Sequence, residues 1–226
     1  LPAYSQRHLD AAAAVAYRGK FERSLLRRLS HWRESQCVRA MARRAIAGCT
    51  PADHGPRLLD VPCGAGRFAP LLAGLGGSYL AADHSPAMLL LCRQRLQAAG
   101  LGARAVAFVQ ADARKLPLPD RSVDLACCLR LLHHFPERRD RLAILAELAR
   151  VCHGPLVLSF LDAAAHKQRL YLWRRRRRGQ LPRRVLLSRA ELAAEAQAAG
   201  WRLLRTAGIS SWFSGQTVAL LLPHDR

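Results

Sequence analysis

From Arg57 onward, short apolar runs alternate with longer amphipathic stretches. "RLLDV", "SYLAAD", "AVAFVQAD", "SVDLACCLRLL" and "GPLVLSFLD" each read as a strand, because a short apolar run bounded by turn residues suits a buried strand. Between them, "GRFAPLLAGL", "SPAMLLLCRQRLQAAG" and "RDRLAILAELARVC" read as helices. The second is clearly punctuated: Ser85 suits an N-cap, Pro86 the first turn and Gly100 the C-terminal stop. Strands alternating with helices predict an α/β fold around a parallel sheet. After Asp162 the rhythm changes. "SRAELAAEAQAAGW" reads as a helix capped by Ser188, with Glu191 placed for a capping box and Gly200 at its end. "RLLRTAGIS" and "QTVALLLP" are two late strands, able to pair as an antiparallel edge. Ahead of the alternation, residues 20–47 read as a helix. Its apolar stripe is Phe21, Leu25, Leu29 and Trp32, with Arg23, Arg27, Arg28 and Arg33 off the stripe.

In parallel α/β sheets, ligands bind at the carboxyl ends of the strands. After the first strand come Asp60, Pro62, Cys63, Gly64 and Gly66. Glycines there let a backbone approach a ligand closely. With Asp83 after the second strand, this spacing also passes for a dinucleotide fingerprint. Two features argue against that. Asp60 stands at the strand end, pointing into the cleft, where a carboxylate suits a cation better than a pyrophosphate. Asp112 adds an acid at a third strand end. A ribose on Asp83, an ammonium group near Asp60 and an adenine amine on Asp112 describe S-adenosylmethionine.

The segments "LLDVPCGAGRF", "LAADHSPAML", "FVQADARKLPLPDRSVDLACCLRLLHHF" and "AELAAEAQAAGW" together resemble the class I S-adenosylmethionine-dependent methyltransferases. The likeness runs from Leu58 to about Asp162 and is strongest to the small-molecule and quinone-biosynthesis branch. It implies a Rossmann-like, seven-stranded, mostly parallel sheet with helices on both faces and the last strand antiparallel. It further implies one domain: a helical cap over residues 1–50, a cofactor-binding core over 57–162, a basic insertion over 163–189, and a closing helix and strands over 190–226. By position, Asp60, Pro62, Cys63, Gly64 and Gly66 line the methionine end of the cofactor. Asp83 holds the ribose, with His84 and Met88 beside it. Asp112 and Ala113 meet the adenine, while Leu129 and Arg130 lie near the methyl group. Ala65 stands where many relatives carry Thr or Ser.

His133 and His134 are candidates for a general base, since histidine titrates near neutral pH; the alternative is that one packs against the pocket and the other is solvated. Tyr17, Lys20, His31 and Arg33 lie in the cap segment and are candidate ligand contacts.

Composition changes the picture in one respect. The formal net charge is +20, and only three of the 36 basic residues are lysine. Such a field favours anionic partners. Ten basic residues and no acidic one lie between Lys167 and Arg189. Tyr171 and Trp173 precede the run Arg174 to Arg178, and aromatics beside arginines suit bases or a membrane interface. Three readings compete with a plain solvated loop: an anionic substrate, an anionic membrane surface, or RNA. The absence of a recognisable RNA-binding module disfavours the last.

The seven cysteines are odd in number and include no CxxC pair, so neither a disulfide framework nor a metal site is indicated. A reducing, cytoplasmic setting is expected, with peripheral contact to an anionic membrane as an option. No apolar run reaches membrane-spanning length and no leader-like pattern opens the chain, which starts at Leu1. The functional expectation is a methyltransferase acting on a small or lipid-like acceptor. RNA methylation, a non-catalytic S-adenosylmethionine-binding interaction protein and a dinucleotide oxidoreductase are the alternatives.

Overall fold

The computed structural model describes residues 25–47, 55–210, 212 and 214–224. Seven strands form one sheet: β1 (Arg57–Asp60), β2 (Ser78–Asp83), β3 (Ala105–Gln110), β4 (Leu125–Cys128), β5 (Leu156–Leu161), β6 (Trp201–Gly208) and β7 (Gln216–Pro223). Their order is β3-β2-β1-β4-β5-β7-β6. β1 to β5 are mutually parallel, and β7 runs antiparallel to both β5 and β6. The two late strands do pair with each other, but β6 takes the edge and β7 slots between it and β5.

Strand parity divides the core into two layers. Leu58, Leu125, Cys127 and Val157 face one side, which is covered by α1 (Leu25–Ala47), α2 (Ala69–Ala73) and α3 (Pro86–Ala98). Leu59, Ala126, Cys128 and Leu158 face the other, under α4 (Arg138–Val151) and α6 (Arg189–Ala198). With both faces covered, the central strands read as continuous apolar runs. The caps expected of α3 and α6 form: Ser85 accepts from the Met88 N–H, and Ser188 and Glu191 make a reciprocal capping box.

Two helices depart from expectation. The buried face of α1 is Glu34, Val38, Met41, Ala42 and Ala45, while Leu29 and Trp32 are 51% and 59% exposed. The proposed stripe is therefore on the wrong side of the helix in its described part. The close packing of α1 on the sheet selects small side chains, and the bulky pair is left outside. The basic stretch is not a plain loop either. His166–Arg177 is a helix, α5, whose sequence is rich in good helix formers. Among the described residues, no helix is long and apolar enough to cross a membrane.

A buried ion pair locks α4 against α6. The Arg141 guanidinium donates to Glu195 at 3.0 and 2.5 Å and to the carbonyls of Phe135 and Pro136 at 2.9 and 2.8 Å. Glu195→Ala leaves that buried guanidinium without its counter-charge. The expected loss is about 3–5 kcal/mol, read by urea unfolding. A loss below about 1 kcal/mol contradicts this account of the packing.

Candidate functional site

The loops after β1, β2, β3 and β4 converge at the carboxyl edge of the sheet. Gly64 has φ +53°, and a Cβ added there meets nothing within 4 Å, so the loop backbone is open on that side. Gly66 has φ +72°, and a Cβ there would stand 2.8 Å from Cys92 Cα on α3. One glycine thus leaves room for a ligand, and the other lets the loop lie down on a helix. Asp83 joins this loop to the next: its carboxylate accepts the Gly64 N–H at 2.8 Å and the Ser85 N–H at 2.9 Å. Met88 is buried against Ala65, and His84 is half-buried, its carbonyl accepting from Gln110 Nε2 at 3.2 Å. Pro62 is half-buried at the loop entrance.

Asp60 differs from expectation. Parity puts it on the Leu58 face, below the loop, where it is 2% exposed and accepts a 2.6 Å hydrogen bond from the Tyr79 hydroxyl. It does not stand free in the cleft. Burial pushes its carboxyl up to about 7, opposed by the Tyr79 bond and reinforced by the charge of Asp83. Cys63 is buried beside it. Its thiol is pushed up, first by the bond with Cys92 and then by burial, which makes it an inert packing group rather than a nucleophile.

Asp112 is held by Arg114, which donates to it from Nη2 at 2.7 Å and also reaches Asp140 on α4 at 3.0 Å. The hydrogen bonds from Arg114 lower its carboxyl below the usual range. Ala113 is buried next to it. After β4, Leu129 is buried and Arg130 adopts φ +63°, uncommon for a residue with a side chain. The Arg130 N–H donates to Ser159 Oγ at 2.8 Å, and its guanidinium reaches Glu34 at 3.0 Å. Arg67 also donates to Glu34, at 2.7 Å, and to His31 Nδ1 at 2.9 Å. Burial, then the Arg67 charge, brings His31 down to about 4, so it accepts that bond as a neutral ring. Glu34 therefore ties α1 to the loops after β1 and β4. Sequence reasoning passed over it. Its one local signal was an acid in register with Val38, Met41 and Ala45.

His133 is 4% exposed, its ring centroid 4.1 Å from that of the half-buried His134 with the planes tilted by 40°. Its Nδ1 finds no hydrogen-bond partner among the described residues. Burial, then the charges of His134, Arg130 and Arg184, hold its ring well below the usual histidine range. Tyr17 lies outside the described residues, as does Lys20, and Arg33 is exposed. Tyr171 accepts the Arg183 N–H at 2.9 Å, and Trp173 is half-exposed with the Arg177 guanidinium 4.1 Å from its ring centroid.

Residues 59–154 match the family described as "Methyltransferase domain". The chain is 34% identical over 112 residues to the ubiquinone/menaquinone biosynthesis C-methyltransferase of Stutzerimonas stutzeri, covering 48% of this chain and 43% of that protein. It is 40% identical over 90 residues to a probable phthiotriol/phenolphthiotriol dimycocerosates methyltransferase of Mycobacterium ulcerans, covering 38% and 33%. The chain thus spans less than half the length of these curated relatives. Its fold is similar to that of the magnesium protoporphyrin IX methyltransferase of Synechocystis, solved with bound S-adenosylhomocysteine. The TM-score is 0.69 at 20% identity, over 88% of this chain and 87% of that one.

The raised carboxyl of Asp60 has a consequence for stability. Its folded value of about 7 lies above the ordinary aspartate value, so between the two the folded chain holds a proton that the unfolded chain has released. This stabilisation is fully present below the unfolded value and is lost as pH rises through about 7. Urea unfolding from about pH 5 to pH 8 is expected to show a decline that Asp60→Asn abolishes. An equal slope in the variant contradicts the assignment.

Proposed function

We propose that this chain, whose residues 59–154 form a class I methyltransferase domain, binds S-adenosylmethionine at the carboxyl edge of its sheet and passes the methyl group to a small or lipid-like acceptor. The observation that carries this reading is the Asp83 carboxylate, fixed by the Gly64 and Ser85 N–H groups beside the open face of Gly64. A dinucleotide reading needs a helix N-terminus directly behind the glycines to meet the phosphates. Here α2 starts only at Ala69, has five residues and lacks a side-chain cap.

Bound S-adenosylmethionine supplies an activated methyl group on a sulfonium. The chain's own part is to position and to exclude water. Asp83, at the end of β2, accepts from the ribose hydroxyls. Asp112 and Ala113 border the adenine. Asp60 lies below the glycine loop and braces it by accepting the Tyr79 hydroxyl. Leu129 and Arg130 wall the far side. Holding two reactants in line accounts for up to about 7–11 kcal/mol of such a barrier. On this reading His133, whose Nδ1 finds no partner among the described residues, is the candidate general base for an acceptor hydroxyl or amine.

The acceptor class rests on the relatives, named for ubiquinone/menaquinone biosynthesis and for phthiotriol/phenolphthiotriol dimycocerosates. The exposed face of α5 supports delivery at an anionic membrane surface. It carries Leu170 and Trp173, 45% and 50% exposed, among Arg174, Arg176 and Arg177. The free thiols of Cys63 and Cys92, close together under the glycine loop, suit a reducing compartment.

The test supplies methyl-labelled S-adenosylmethionine with a cellular lipid extract, presented in anionic or in neutral vesicles, and with total RNA in a parallel tube. Label is expected in the organic phase, and faster from anionic vesicles. Label in RNA, or none in either phase, contradicts the proposed acceptor class. Equal rates from the two vesicle types contradict the membrane element.

A further inference from the structure

Where the carboxyl end of β5 meets the amino end of β7 stands a side chain that the cofactor reading leaves unused. Gln216 is 3% exposed, and both polar atoms of its amide, Oε1 and Nε2, find no hydrogen-bond partner among the described residues. Its backbone is fully engaged: the carbonyl accepts from the Ile209 N–H at 3.1 Å, and the N–H donates to Ser214 Oγ at 3.4 Å. Only the amide is unspent. Leucine or methionine would fill the same volume with no polar atom to bury, so a core that retains an unpaired amide keeps a site for a partner.

Strand pairing locates the amide. Gln216 lies opposite Leu161, and Val218 lies opposite Ser159. Directly opposed residues share a face, so Gln216, Leu161 and Ser159 all lie on the side that α1 covers, with Val157, Val218 and Leu220. Ser159 is the residue whose Oγ accepts the Arg130 N–H, so Gln216 stands one strand beyond the loop after β4. Beside it stand Leu161, Val218 and Ile209, apolar and buried, and diagonally Ser159, whose Oγ accepts the Arg130 N–H. The hairpin that leads into it carries Trp212, 69% exposed and stacked flat on His166 with centroids 4.5 Å apart. An aromatic surface therefore stands at the rim of the same hairpin.

We infer that Gln216 is an acceptor-binding residue, its amide receiving a hydroxyl carried by an otherwise apolar acceptor. This rests on the methyltransferase reading for what happens to that acceptor, but not for its binding. The chemistry selects the group. The amide offers one accepting oxygen and one donating nitrogen. A carboxylate only accepts and an ammonium only donates, so each leaves half of the amide unpaired. A hydroxyl is the smallest group that does both. The apolar neighbours and the tryptophan at the rim select for hydrocarbon or aromatic substance in the rest of the molecule.

The test uses the full chain with two matched probe pairs: 1-naphthol against naphthalene, and 4-nonylphenol against nonylbenzene. Binding is read by tryptophan fluorescence, with and without saturating S-adenosylhomocysteine, in the wild type, Gln216→Met and Gln216→Leu. The wild type is expected to bind each hydroxylated probe about tenfold or more tightly than its hydrocarbon. Both variants are expected to bind the members of a pair equally. They should keep S-adenosylhomocysteine affinity within about twofold of wild type, with a melting temperature unchanged or raised. The inference is overturned if the wild type shows no hydroxyl preference or if the variants keep it. It is also overturned if both variants melt more than about 5 °C lower, which marks an amide that is structurally paired through internal water. Failure of the wild type to bind S-adenosylhomocysteine, with the hydroxyl preference intact, sinks the cofactor reading alone.

Discussion

The Asp83 carboxylate holds two loops from adjacent strands in one arrangement. Its bonds to the Gly64 and Ser85 N–H groups, together with the Cys63 N–H on the Ala82 carbonyl at 2.9 Å, fix the glycine loop across the β1–β2 step. The rest of the site follows from that fixed point. Gly66 is pressed onto Cys92, Met88 packs beneath Ala65, and the open side of Gly64 is left facing the cleft. An anion held by backbone donors at 8% exposure is already desolvated and oriented. A carboxylate held in this way is preorganised, which is the property that makes a binding group specific.

Charge is arranged in opposition around this point. Asp60, Asp83 and Asp112 lie along the ends of β1, β2 and β3. Arg67 and Arg130 lie on the side facing α1, where Glu34 accepts from both. In a chain with a net charge of +20, these two arginines are thus paired with one buried acid. The bulk of the positive charge is displayed elsewhere, including the exposed face of α5. The cap helix is fastened to the sheet by the same Glu34, so closure of the cleft and its electrostatics share one residue.

Much of this was legible in the sequence, where local chemistry decides. The limits of α3 follow from Ser85, Pro86 and Gly100, and those of α6 from Ser188 and Glu191, because capping is a matter of neighbouring residues. The parallel core follows from alternation. What escaped depends on distance. In α1 the conspicuous residues Leu29 and Trp32 suggest a stripe, yet the buried face uses Val38, Met41 and two alanines around a glutamate whose partners lie at Arg67 and Arg130. Asp60 was placed in the cleft by its position after a strand, whereas its parity with Leu58 puts it underneath, against Tyr79. The arginine run reads as a solvated loop by charge, while its helix propensity favours the helix that forms. Gln216 gives no local signal at all. Its isolation is a property of the packed sheet.

The central claim is that this glycine loop seats an adenosyl amino acid and not a pyrophosphate. Calorimetric titration of the wild type and of Asp83→Ala with S-adenosylhomocysteine and with NAD tests it most directly. The account predicts one-to-one binding of S-adenosylhomocysteine by the wild type, its loss in Asp83→Ala, and no binding of NAD by either. Binding of NAD by the wild type in place of S-adenosylhomocysteine would contradict it.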